Sequence, residues 1–252
     1  MGNPLSFELN DKVVVITGAG RGIGKAIAEA CAHYGADLAL GSRTLEESTA
    51  VAEACRQASG HRAEAWQLDV GNVASINAFV EQVLATYGRI DVLVNNAGIN
   101  VDRSMKNMST DDWDKVLQVD LNSYFYTVKA ALPYFMEQKS GKIINISSLN
   151  GQVGSFGQAN YSAAKAGIIG FTRTAALELA RYHVTVNAIC PGYIATEMFE
   201  SIPDKPKEAI LARIPLGRAG TPQEVARAVR YLIVDGDYYT GATLSMNGGA
   251  YM

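Results

Sequence analysis

Cysteine is scarce in this 252-residue chain, and Cys31, Cys55 and Cys190 lie far apart with no CxxC or Cys/His spacing. That scarcity argues against a disulfide framework and a zinc site, and it predicts a reducing compartment. Histidine is equally sparse: His33, His61 and His183 are dispersed, so no metal is assigned. The 22 Lys and Arg residues are scattered among 25 Asp and Glu, giving a formal net charge of -3 and no basic block. Nucleic acid and anionic membrane surfaces are therefore not expected as partners. No apolar run approaches the ~20 residues that span a bilayer, and the first residues lack the basic and apolar regions of a secretory leader. Gly2 and Ser6 stand where a myristoylation signal has them, but Pro4 and the lack of polybasic support make a poor match. The expectation is a soluble, cytoplasmic protein.

What the chain does have is a 48% hydrophobic content, enough for one large core, and residues 1–252 read as a single domain. Short β-branched runs alternate with longer amphipathic segments from end to end. The runs predict strands at 12–17, 37–42, 63–68, 92–95, 142–146, 185–188 and 243–245, with helices starting near Gly22, Thr44, Val73, Thr110, Asn160 and Thr221. This alternation predicts an α/β fold, a Rossmann-like, doubly wound, seven-stranded parallel sheet with helices on both faces. Two helix starts carry caps: Asp111 and Asp112 fall in a first turn after Ser109, and Thr221 precedes Pro222 at N1 and Glu224 at N3. From Pro191 to Pro215 the alternation fails, and four prolines with Gly192 predict a lid or binding loop with short helical pieces.

The first predicted strand, Val-Val-Val-Ile-Thr17, runs into Gly18-Ala-Gly-Arg-Gly-Ile-Gly24 and then a helix. Glycines let backbone N–H groups approach a pyrophosphate, and a helix N-terminus adds positive partial charge. The spacing departs from GxGxxG, because Ile23 occupies its last position, and a purely structural tight turn is the competing reading. Coenzyme choice depends on the end of the second strand, where a carboxylate would accept the ribose hydroxyls. Asp37 begins that strand, roughly 16 Å from its carboxyl end. Arg43 and Arg21, helped by Ser42 and Thr44, can instead hold a 2′-phosphate, so NADPH/NADP is expected.

Tyr161 and Lys165 open a predicted helix at i,i+4, which places an ammonium near a phenol, and Ser148 lies thirteen positions upstream. A free phenol ionises near pH ~10, too high for ready exchange at neutrality, whereas a neighbouring cation favours its anion. Together with the glycine turn, these residues predict carbonyl–alcohol oxidoreduction: Tyr161 protonates the developing alkoxide and Ser148 donates a hydrogen bond to it. A solvated helix face is the bland alternative. Ser148 as a hydrolase nucleophile fails for want of a suitably placed His base.

On these motifs, with Asp69-Val70, Asn95-Asn-Ala-Gly98 and Pro191-Gly192 in order, the chain resembles the classical short-chain dehydrogenase/reductase family over nearly its full length. The resemblance implies that Asp69 and Val70 flank the adenine and that Asn95, Ala97 and Gly98 wall the ribose and adenine side. It also implies that Ile194 and Thr196 hold the nicotinamide carboxamide and that Lys165 holds the nicotinamide ribose. Within the family the chain is similar to acetoacetyl-CoA reductases of polyhydroxyalkanoate synthesis, giving an (R)-3-hydroxyacyl thioester. The 3-oxoacyl-(acyl carrier protein) reductases of fatty acid synthesis share most of the same residues. Gln152, Phe156, Gln158 and Tyr193 would line the acyl pocket, with Ser155 where Gln is expected. An NAD(P)-dependent alcohol or sugar dehydrogenase, and a non-catalytic dinucleotide-sensing scaffold, are the more distant alternatives.

Two departures stand out. The family's fourth catalytic position, an Asn that holds a water joining the Lys to solvent, is Asp120 here. Asp120 either keeps that relay with altered pH dependence or serves only as a helix-bend residue. His183 replaces the usual Gly before the sixth strand, which would strain or reshape the turn. The resemblance further implies a homotetramer.

Overall fold

Residues Val13–Thr17 form β1, and all five are buried. A strand without a polar face needs cover on both sides, which places it inside a parallel sheet. The computed structural model describes residues 8–252. The N-terminal segment, with the Gly2 and Ser6 reading, lies outside them. The other strands are β2 (Asp37–Ser42), β3 (Ala63–Gln67), β4 (Val92–Asn95), β5 (Gly141–Ile146), β6 (Val184–Pro191) and β7 (Thr243–Met246). They form one parallel sheet in the order β3-β2-β1-β4-β5-β6-β7. All seven expected strands are present, and β6 runs further than the sequence suggested, to Pro191. The Pro191 carbonyl accepts from the Leu149 N–H at 2.8 Å, tying the strand end to the connection after β5.

The helices are α1 (Gly22–His33), α2 (Leu45–Ser59), α3 (Val73–Tyr87), α4 (Thr110–Leu117), α5 (Ser123–Gln138), α6 (Asn150–Val153), α7 (Ala159–Leu179), α8 (Glu197–Glu200), α9 (Asp204–Leu211) and α10 (Pro222–Val234). Successive strand residues point to opposite faces, and the core divides accordingly. Val14 and Ile16 join Ile27, Val51 and Val229 in one cluster, on the side of α1, α2 and α10. Val13 and Val15 join Phe79, Phe135 and Ala175 in the other, on the side of α3, α5 and α7. Each fully buried aliphatic or aromatic side chain contributes about 1.5–3 kcal/mol, so both layers hold the strand ends firmly.

The helix expected from Thr110 does start there, but a π turn, Gln118–Asn122, joins α4 to α5. The segment beyond Pro191 contains α8 and α9 as the short helical pieces anticipated. Strand order reverses between β1 and β4, which opens a crevice at their carboxyl ends.

Candidate active site

The chain leaves β1 through Gly18, whose φ of 67° lies in the left-handed region that glycine tolerates best. Gly24 meets a different constraint: a Cβ there would fall 2.2 Å from the Gly18 carbonyl oxygen. It packs α1 against the turn and does not line the crevice, a correction to its reading as a coenzyme contact. Asn96 Nδ2 locks the same turn by donating to the carbonyls of Thr17 and Gly18, each at 3.0 Å. Helix α1 begins at Gly22 with Arg21 at the cap position and no side-chain cap, whereas Asn72, Ser109 and Thr221 cap α3, α4 and α10. Its free N-terminal N–H groups open onto a cleft of about 970 Å³ lined by Gly18, Gly20, Arg21, Gly22 and Ile23. An uncapped helix start facing a large cleft suits a pyrophosphate.

Further along the cleft lie Ser42, Arg43, Asp69, Val70, Ala97 and Gly98. Arg21 and Arg43 are exposed. Neither guanidinium forms an ion pair with a described residue. Both remain available to an anionic ligand. Asp37 sits at the opposite end of β2, where Arg62 binds it at 2.6 Å, and cannot act on a ribose. These features fit the 2′-phosphate of NADP(H). Asn95 needs correction: its Nδ2 donates to Asn145 Oδ1 at 3.0 Å and its Oδ1 accepts from Thr127 Oγ1 at 2.7 Å, inside the core. As the last residue of β4 it points into the sheet layer, and the neighbouring Asn96 faces the cleft instead.

Helix α7 carries Tyr161 and Lys165 on one face, and the Lys165 Nζ lies 5.4 Å from the Tyr161 ring centroid. Both line the cleft together with Ser148 and Asp120. The ammonium is buried, 3.2 Å from the Ile146 carbonyl, 3.4 Å from Tyr124 Oη and 3.2 Å from Asp120 Oδ2. Burial alone would lower the Lys165 pKa, but Tyr124, Asp120 and Tyr161 more than offset it, so the charged form is favoured. Burial pushes the Tyr124 phenol up to about 12, and it donates to the Ile146 carbonyl at 2.8 Å. Burial likewise raises the Asp120 carboxyl, against the pull of Lys165 and of the Ile99 N–H. Ser148 Oγ accepts from the Asn150 N–H at 3.1 Å.

Pro191, Gly192, Tyr193, Ile194 and Thr196 line the cleft from the segment after β6. Of the four acyl-pocket candidates, Gln158 and Tyr193 reach it. Gln158 Nε2 donates to Asp102 Oδ1 at 2.9 Å. Gln152 and Phe156 do not reach it: Gln152 bonds Ser245 Oγ at 2.9 Å, and Phe156 is 95% exposed. Gly154 ends α6 just before Phe156, whereas Gln152 lies within the helix and is turned to β7. Sequence reasoning missed Tyr124, although it falls four residues after Asp120, and Asn96, which carried no signal apart from its neighbours. Among the described residues no three His, Cys, Asp or Glu side chains converge as metal ligands.

A phosphate-binding turn and a Ser, Tyr and Lys group sharing one cleft at a strand-order reversal define a nicotinamide-dependent oxidoreductase architecture. The short chain dehydrogenase family model matches residues 12–207, and the chain belongs to that family. More particularly, it is 43% identical over 247 residues to a 3-oxoacyl-[acyl-carrier-protein] reductase, FabG, of Vibrio cholerae, covering 98% of this chain and 100% of the relative. It is 45% identical to the 3-oxoacyl-[acyl-carrier-protein] reductase of Synechocystis sp., over 97% of this chain and 98% of that one. A solved structure described as the crystal structure of gox2181 superposes with a TM-score of 0.93 at 32% identity, covering 98% of each chain.

Proposed function

We propose that this protein reduces a 3-oxoacyl thioester to the (R)-3-hydroxyacyl thioester with NADPH. The observation that carries the reading is the buried Lys165 ammonium 5.4 Å from the Tyr161 ring, in the cleft that the uncapped start of α1 also opens onto. Reduced nicotinamide, when bound, supplies the hydride that the carbonyl carbon accepts. Gly18, Gly20, Arg21, Gly22 and Ile23 would hold its diphosphate, Arg21, Ser42 and Arg43 its 2′-phosphate, and Asp69, Val70, Ala97 and Gly98 its adenosine. Pro191, Gly192, Ile194 and Thr196 would bound its carboxamide end. Tyr161 gives its phenolic proton to the carbonyl oxygen as the C=O bond becomes C–O–H, and Ser148 donates a hydrogen bond to that oxygen. Lys165 stabilises the phenolate left behind, and Asp120 and the Ile146 carbonyl hold Lys165 in place. Gln158 and Tyr193 would border the acyl group.

The names of the relatives favour an acyl group carried on acyl carrier protein. Acetoacetyl-CoA is the second reading, since an acidic carrier would want basic residues near the pocket. Lys142 at the amino end of β5, remote from the cleft, is held by Asp237 at 2.5 Å, and Arg181 lies over the Tyr182 ring at 4.8 Å. With Lys139 they build no basic docking patch around the cleft mouth. Exposed Phe125 on α5 and Leu177 on α7 would be covered in a homotetramer. A steady-state assay following consumption of NADPH or NADH with acetoacetyl-CoA, a 3-oxoacyl carrier protein and simple polyols tests the reading. Turnover of a thioester with NADPH is expected, and turnover of polyols alone would overturn it.

A further inference from the structure

Resting on the reading above, we propose that Asp120 is a positioning residue that offsets the charge Lys165 presents to Tyr161 and thereby extends carbonyl reduction to higher pH. The π turn Gln118–Asn122 delivers Asp120 into the site, where its carboxylate is fully buried. One oxygen, Oδ1, accepts from the Ile99 N–H at 2.8 Å. The other, Oδ2, pairs with Lys165 Nζ at 3.2 Å. Gly98 makes room for it, since a Cβ there would lie 2.7 Å from Oδ2.

Four groups stand against Lys165: Asp120 from the π turn, Tyr124 from α5, Tyr161 from α7 and the Ile146 carbonyl from β5; the Cys190 thiol of β6 interacts with it only through charge. Burial keeps Tyr124 and Cys190 in their neutral forms at ordinary pH. Asp120 is therefore the one carboxylate among the described residues set against this ammonium. Reduction consumes the phenol form of Tyr161, and a bare ammonium beside it would favour the phenolate. Pairing the ammonium with a carboxylate weakens that field and retains the phenol.

The test is Asp120→Asn, which keeps the shape and the acceptor for Ile99 but removes the charge. Two readouts are taken. One is kcat/KM for reduction against pH. The other, free of coenzyme and substrate, is the pH titration of the Tyr161 ring carbon by NMR in protein labelled at tyrosine Cζ, with the signal assigned by Tyr161→Phe. The variant is expected to lose reduction, and to titrate Tyr161, at a pH lower by about one unit or more. Unshifted curves, or a uniform fall in kcat at every pH with the signal in place, would overturn the proposal by leaving Asp120 a purely structural role. If the Asn variant fails to fold, Asp120→Ser is read by the same two measurements. If the parent protein turns over no thioester, the functional reading fails while the NMR titration still decides the role of Asp120.

Discussion

Arg43 and Arg21 reach the cleft as exposed guanidinium groups free of carboxylate partners among the described residues. Charge-assisted hydrogen bonds contribute about 1.5–3 kcal/mol, so Arg43→Ala is expected to raise the KM for NADPH by about tenfold or more. The KM for NADH should stay nearly the same, and an equal rise for both coenzymes would remove Arg43 from phosphate recognition. His183 is the other residue with a direct consequence. Its φ of 56° and ψ of 34° are left-handed, so the turn keeps the shape that glycine prefers and the side chain bears the strain. His183→Gly should stabilise the protein by about 1 kcal/mol, seen as a higher urea midpoint; an unchanged midpoint would mean that the imidazole makes up the difference. At this scale the pairing of Tyr161 with Lys165 was legible because their spacing is local and needed only a helix. Asn95 was misplaced because strand alternation, not motif membership, decides which of two adjacent asparagines faces a ligand.

Helix caps show what an element owes to its own sequence. Thr221 Oγ1 accepts from the Glu224 N–H at 3.2 Å while Glu224 accepts from the Thr221 N–H at 2.8 Å, completing a capping box that the sequence announced. Thr221→Ala is expected to cost about 1 kcal/mol in thermal or urea unfolding, and no loss would show the cap to be redundant. The Arg218 guanidinium, then the Thr221 N–H, hold the Glu224 carboxyl down at about 2. A depressed carboxyl stabilises the fold above its unfolded value near 4.5 and loses that contribution as pH falls toward 2. Exposure to solvent keeps the effect small. The π turn, by contrast, was legible only as the helix bend weighed at Asp120. A π turn has no distinct hydrophobic period, and what it accomplishes is tertiary: it carries Asp120 to Lys165 from another part of the chain.

Across the whole molecule, the parallel sheet was readable because β1, β4, β5 and β6 are short β-branched runs, almost wholly buried and spaced by helices. The boundaries of β6 and the hydrogen bond of Gln152 to Ser245 depended on contacts between distant segments that no local pattern records. The same burial makes the fold sensitive to alkali. Burial pushes the Cys31 thiol up to about 12, the Cys55 thiol to about 11 and the Tyr124 phenol to about 12. A raised pKa means stability that is complete below the unfolded value and lost as pH rises through the folded one. The urea midpoint should hold to about pH 9 and fall progressively toward pH 12, whereas a midpoint level across that range would contradict the burial of these groups. The proposed reduction turns on a single proton passed to a carbonyl oxygen at the carboxyl end of this sheet. Its most direct test is Tyr161→Phe, assayed with NADPH and a 3-oxoacyl thioester alongside coenzyme binding. The account predicts a kcat lower by at least about 10²-fold with NADPH affinity retained, and a variant turning over at the parental rate would contradict it.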